Sequence, residues 1–292
     1  MSSVAAADAA PALASVTSRD GTTIGYRRFG RGPGLILLNG SMGSGVHLTE
    51  LARLLSDAFT VFVPDRRGRG LSGPYRTGDE LQQELEDVAA LVSETGAQDL
   101  WGLSSGACLA LHAARTMPAI RKIALFEPPL VRDRAAAAAV LREFDDEMAR
   151  GKLGAAMVTA MRGAEMGPGW FRALPKALTA RLVGIGIRQE ATQPAGDYPT
   201  MQELAPTLHF DFAIVSESIG RLDDYRSITA EVLLMGGSKS PTYLKRALRD
   251  LAGVLPNARR IELPGLDHAA SWNADRQGNP GPVAAELRRF FS

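Results

Sequence analysis

Residues 101–107 read WGLSSGA, and Gly102 to Gly106 fit the pattern G-x-S-x-G with Ser104 at its centre. The apolar run DLWGL leads into this stretch and the helix-forming run ACLALHAARTM leads away from it. A sharp strand-to-helix turn of this kind holds the central hydroxyl out in a strained, reachable conformation, and flanking glycines relieve the crowding. Ser104 is therefore the expected nucleophile. Ser105 has a different task. Its backbone N–H opens the helix, where donors are unpaired and the dipole favours negative charge, so it is suited to hold an oxyanion. The loop NGSMGSG, residues 39–45, directly follows the apolar run LILL. Its glycines let backbone amides point into a cavity, and those near Gly40 and Ser41 are expected to complete the oxyanion site.

A serine hydroxyl is a poor nucleophile at neutral pH and needs a base. The chain has 4 histidines. His112 falls inside the helix after the turn and reads as a packing or surface residue, and His209 reads as a partly buried one. His47 lies just past NGSMGSG and is expected to face solvent. His268 sits in LPGLDH, beyond the last strand-like run, where loops gather at the carboxyl edge of a parallel sheet. It is the expected base.

These residues need a scaffold that brings distant loops to one edge. VTSRDGTTIGYRRFG reads as two strands around an Asp-Gly turn. LILLNG, FTVFVPD, DLWGL, KIALFE, EVLLMGG and RRIELPG read as strands, several of them continuous apolar runs suited to burial on both faces. Helical spacing separates them in HLTELARLLSD, DELQQELEDVAALVSETG, ACLALHAARTM, YLKRALRDLAGVL and VAAELRRFF. Repeated strand–helix units predict an α/β fold with a mostly parallel central sheet flanked by helices. The expected core is 15–129 with 226–292. Residues 130–225, rich in Ala, Met and Arg, show no sheet strand and are expected to form a helical cap. Met148, Met157, Met161, Met166 and Met201 lie in it, and methionine repacks easily around varied shapes. Met157, Met161, Trp170 and, from the glycine loop, Met42 are the expected substrate contacts.

Composition bounds the rest. The 292 residues are 45% hydrophobic and 22% charged, with a formal net charge of +1, which argues against nucleic acid as a partner. RRGR at 66–69 is a brief run interrupted by glycine. One cysteine, Cys108, excludes an internal disulfide framework and fits a reducing compartment. Residues 1–14 lack the basic start of a secretory signal and read as a flexible leader. No stretch approaches the roughly 20 apolar residues of a membrane span. The expectation is a cytoplasmic protein without metal or organic cofactor, acting on a small molecule, with a homodimer allowed.

Taken together, LILLNGSMG, VFVPDRRGRGLSG, WGLSSGA and LPGLDH resemble the α/β-hydrolase fold in order and spacing, with a lid where residues 130–225 lie. Two departures stand out. Asn39-Gly40 replaces the frequent His-Gly, which main-chain donors tolerate. The family's usual acid follows the strand EVLLMGG, where this chain has GGSKSP and Lys239 near the slot. A cation cannot hold the histidine N–H or stabilise an imidazolium. Glu127, Asp223, Asp224 and Asp267 are the carboxylates within reach. Asp267 adjoins His268 and turns back onto it with difficulty, whereas Asp223 and Asp224 precede the strand and read as solvated charges. Glu127 closes KIALFE at the same edge as the elbow, there either to pair with the lid or to orient His268. A narrower resemblance bears on this point. Zearalenone-type lactonases share an elbow W-G-x-S-S-G-A and place a triad Glu in a Glu-x-Pro context, which Glu127 and Pro129 match.

The resemblance implies a lidded serine hydrolase with the triad Ser104, His268 and Glu127, cleaving an ester or lactone of a lipophilic small molecule through an acyl-enzyme. Acyl transfer or C–C hydrolysis on the same triad is the alternative reaction. A catalytically weak ligand-binding protein, favoured by Lys239, is the alternative class.

Overall fold

The computed structural model, described over residues 10–76, 78–130, 133–167, 171, 173–192 and 196–292, joins the apolar runs into one sheet. Its strands are β1 (Ala12–Thr17), β2 (Thr23–Phe29), β3 (Gly34–Leu38), β4 (Thr60–Pro64), β5 (Asp99–Leu103), β6 (Lys122–Phe126), β7 (Glu231–Gly237) and β8 (Ala258–Leu263). They run in the order β1-β2-β4-β3-β5-β6-β7-β8. β1 and β2 pair antiparallel, as do β2 and β4, and every other pairing is parallel. The helices are α1 (Thr49–Leu55), α2 (Glu80–Thr95), α3 (Ser105–Thr116), α4 (Arg134–Ala149), α5 (Leu153–Gly163), α6 (Lys176–Thr192), α7 (Met201–Leu204), α8 (Leu208–Glu217), α9 (Thr242–Ala252) and α10 (Pro280–Phe291).

Period-two alternation sends neighbouring residues of each strand to opposite faces. Ile36 and Leu38 of β3 join Leu100, Leu125 and Leu234 in a core covered by α2, α3 and α9. Leu35 and Leu37 turn the other way, to Trp101, Phe126 and Met235 beneath α1 and α10. Both faces are covered by helices, which is why the central strands read as unbroken apolar runs. Helix ends follow local chemistry. Asp79 caps α2 by accepting from the Gln82 N–H at 2.9 Å, and Gly96 ends that helix in a left-handed turn with φ 67°.

The first strand begins earlier than expected. β1 starts at Ala12, inside the segment read as leader, and pairs residue by residue with β2 from Ala12 opposite Arg28 to Thr17 opposite Thr23. Of its side chains only Val16 is buried, so backbone pairing and not apolar patterning makes the strand. Residues 1–9 of that call lie outside the described residues.

Between β6 and β7 the described residues are helical, with no strand. Helix α5 packs between α4 and α6. Phe144, Met157, Ala160, Ile187 and Leu208 form a small core of their own there. Helix α8 seats this cap on the sheet domain, lying against α2 and α3 as well as α4. No helix among the described residues is long and apolar enough to cross a membrane.

One glycine beside the elbow sets how closely two elements meet. A Cβ on Gly106, in the first turn of α3, would run into the Leu38 carbonyl oxygen and lie 2.5 Å from that of Asn39. Glycine to alanine in a helix normally stabilises. Here the sign reverses: Gly106→Ala should destabilise the fold by about 2 kcal/mol through overpacking, read as a lower urea midpoint at unchanged slope. A rise in stability would show that β3 and α3 can separate freely.

Candidate active site

The sheet's topology ends β5, β6, β7 and β8 side by side, and the candidate residues follow three of those ends: Ser104 after β5, Glu127 after β6 and His268 in the loop beyond β8. Ser104 follows β5 with φ 55° and ψ −121°, a conformation disfavoured for any side chain. It is held there by its N–H donating to the Phe126 carbonyl at 2.9 Å and by α3 starting at the next residue. Such a residue typically costs about 1–3 kcal/mol, which the surrounding structure must offset.

Glu127 follows β6, one position beyond Phe126, and is also left-handed at φ 53°. Its carboxylate is fully buried. Oε1 accepts from the Gly237 N–H at 2.6 Å, and Oε2 lies 2.7 Å from His268 Nδ1. The bare backbone of β7 makes this reach possible, since a Cβ on Gly236 would sit 3.0 Å from Oε1. The rival acids are elsewhere. Asp223 pairs with Arg226 and Asp224 with Arg221 in exposed positions. Asp267 is exposed and accepts from the Ala269 N–H at 3.0 Å within its own turn. Lys239 is exposed, and its backbone N–H donates to the Leu266 carbonyl at 2.9 Å. Among the described residues Ser104 and His268 share no hydrogen bond, although both line one cavity; such bonds are often long until the reacting groups close.

The glycine loop refines one expectation. Asn39 Oδ1 accepts from the Gly40 N–H at 3.1 Å, and Asn39 Nδ2 donates to the Ser44 carbonyl. The Gly40 amide is thus engaged within the loop and is not a free oxyanion donor. Gly40 instead gives close approach, because a Cβ there would lie 2.9 Å from both the Leu103 carbonyl oxygen and Ser104 Cβ. The Ser41 amide has no acceptor among the described residues. Neither does that of Ser105, the first residue of α3.

Ser41, Ser104 and His268 line a cavity of about 590 Å³ under the cap. Met42, Met157 and Met161, the expected substrate contacts, line it together with Met166, Phe212 and Trp272, so its walls are largely apolar. Trp170 lies outside the described residues. Met148 packs against the cap's own core and Met201 is exposed, so neither lines the cavity. His47 corrects the expectation of solvent exposure. It is buried, facing the rings of Tyr198 and Trp272, with Nδ1 accepting from the Ser44 N–H at 3.1 Å. Burial pushes its pKa down to about 4, so it stays neutral and can accept that bond. His112 is likewise buried, against Ser218, whereas His209 pairs with Asp145 at a partly exposed position.

The arginines of RRGR were read as a short charge run, yet all three are buried. Arg66 makes a two-point contact with Glu84, at 2.6 Å for each bond, and donates to the Asn39 carbonyl, Ser105 Oγ and Asp211 Oδ1. Arg69 donates to the Gly40 and Gly43 carbonyls and to Asp211 Oδ2. Arg67 is bound at two points by Asp87. A run of charge directly after an apolar strand was the available signal. Its carboxylate partners lie up to 145 positions away, and no local pattern marks them.

Residues 35–286 match the model of the alpha/beta hydrolase family. Over 270 residues the chain is 31% identical to a pimeloyl-[acyl-carrier protein] methyl ester esterase of Stenotrophomonas maltophilia, covering 90% of this chain and 94% of the relative. It is 27% identical over 255 residues to a 2-(acetamidomethylene)succinate hydrolase of Mesorhizobium japonicum, covering 84% of this chain and 85% of the relative. Among solved structures, an alpha/beta hydrolase from Sphaerobacter thermophilus superposes with a TM-score of 0.74 at 31% identity, over 96% of this chain and all of the other.

Proposed function

The chain belongs to the alpha/beta hydrolase family and is a hydrolase, and from that premise we propose that it cleaves an ester or lactone of a lipophilic small molecule through an acyl-enzyme on Ser104. The observation that carries this reading is the buried Glu127 carboxylate, 2.7 Å from His268 Nδ1, at the cavity that Ser104 also lines. Ser104 Oγ attacks the carbonyl carbon while His268 Nε2 takes its proton. Glu127 keeps the other ring nitrogen protonated and stabilises the imidazolium. The amides of Ser41 and Ser105 receive the oxyanion. His268 then protonates the leaving alkoxide, and the same residue activates water to release the acid. The relative that acts on a methyl ester supports an ester substrate, and the apolar walls support a lipophilic one.

A fluorophosphonate probe tests the reading. One equivalent should label the folded protein at Ser104. A panel of p-nitrophenyl esters and of small and macrocyclic lactones should then show turnover, with neutral apolar acyl groups preferred. A folded protein that neither takes the label nor turns over any member of the panel would refute it.

A further inference from the structure

The cap contributes one fully buried carboxylate to the lining of the cavity. Asp211 stands on α8 and lines the same cavity as Ser104 and His268. Its Oδ1 accepts from Arg66 Nη1 at 2.8 Å and from Ser105 Oγ at 2.7 Å, and its Oδ2 accepts from Arg69 Nη2 at 2.6 Å. Burial would raise its pKa, but the charges of Arg69 and Arg66 outweigh burial and hold the carboxyl below its ordinary value. Arg66 is gripped at two points by Glu84 as well, and both guanidinium groups also reach the backbone around the expected oxyanion site. Arg66 donates to the Asn39 carbonyl at 3.1 Å, and Arg69 donates to the Gly40 carbonyl at 2.8 Å and the Gly43 carbonyl at 3.0 Å. Ser41 Oγ completes the cluster, 3.4 Å from Ser105 Oγ.

The residues held in this way flank both expected oxyanion donors. The Gly40 carbonyl belongs to the peptide unit whose N–H is that of Ser41, so a bond to one end fixes the direction of the other. Ser105 carries the second donor, and its side chain is tied to Asp211 and Arg66. We propose that Asp211 is a positioning residue of the hydrolase: by holding Arg66 and Arg69 together it aims the Ser41 and Ser105 amides at the oxyanion, and it makes that alignment depend on the seating of the cap. This rests on the acyl-enzyme reading above. Leu208, Phe212 and Val215 of the same helix line the cavity, so substrate packed against α8 presses on the element that carries the carboxylate.

Charge and geometry predict opposite outcomes for Asp211→Asn. By charge alone, removing a negative group beside the oxyanion should leave the rate unchanged or raise it. By geometry, the amide NH₂ must face one guanidinium, donor against donor, and the two arms part. We expect kcat on a p-nitrophenyl ester to fall about 100-fold with KM within about threefold, the scale of losing one oxyanion donor. Affinity for a trifluoromethyl ketone, which forms a tetrahedral oxyanion on the serine, should fall in step, while affinity for the matching methyl ketone holds. Arg69→Lys keeps the charge but cannot span Gly40, Gly43 and Asp211, and it should show the same kcat-selective loss if Asp211→Asn does not fold. A folded variant with kcat within threefold of wild type, or with its whole loss in KM, overturns the proposal. Wild-type protein without label or turnover would instead count against the acyl-enzyme reading itself.

Discussion

Ser104→Ala is expected to lower kcat by at least about 10⁴-fold, with thermal stability unchanged or slightly raised. The size follows from the role: removing the nucleophile of a unit of this kind leaves only the contribution of binding and oxyanion donors. The sign on stability follows from the backbone. Ser104 holds a strained φ of 55° that alanine shares, so the strain stays, while the partly buried site loses only a hydroxyl with no hydrogen-bond partner among the described residues. Substrate binding should survive, since the apolar cap walls are untouched. A variant that kept a tenth of the wild-type kcat would mean that Ser104 does not form the acyl-enzyme. Parallel loss of activity and of folded protein would point to structural damage, and a thermal melt separates the two.

The second large effect is that of Glu127→Gln, for which kcat should fall about 10⁴-fold, the loss seen when the acid of such a triad is replaced by its amide. The two oxygens of Glu127 explain why. One accepts from the Gly237 N–H and the other from His268 Nδ1, both as acceptors in a site closed to solvent. Glutamine has one acceptor for these two donors. If its oxygen stays on Gly237, its NH₂ faces Nδ1, and the imidazole must move its proton to Nε2, the atom that has to receive the serine proton. Asp223→Asn and Asp224→Asn should each change kcat less than twofold, because both side chains are exposed and occupied by Arg226 and Arg221. Lys239→Ala should be equally mild. Comparable losses at Glu127 and Asp223 in the kcat assay would sink the assignment of the acid.

Much of the fold was legible in the residue order. Strands such as GLILL and DLWGL announced themselves because burial on both faces demands continuous apolar side chains, and helices such as α2 because Asp79 and Gly96 mark their ends. The exception is instructive. β1 buries little more than Val16, so its pairing with β2 left almost no trace in composition. Within the site, the elbow was legible for the same short-range reason: Gly102, Ser104 and Gly106 lie within one turn and must satisfy one local geometry.

The buried ion network was not legible, and the reason is physical. A buried arginine and an exposed one have the same side chain, and what separates them is a carboxylate that only the folded chain brings near. Asp211 approaches Arg66 across 145 positions and Ser105 across 106. His47 was misread on the same ground, since the rings of Tyr198 and Trp272 that bury it come from the cap and from beyond β8.

The amino-acid order alone thus carried the layered sheet and the strained elbow at Ser104, because propensity, periodicity and turn chemistry act over a few residues. Glu127 was the expected partner of His268 only through a short resemblance; the contact itself was a tertiary matter, which turned on β6 and β7 ending together and on Gly236 leaving room for a glutamate to pass. So was the link from a cap carboxylate through Arg66 and Arg69 to the glycine loop, since buried charges are held only by partners that three dimensions supply.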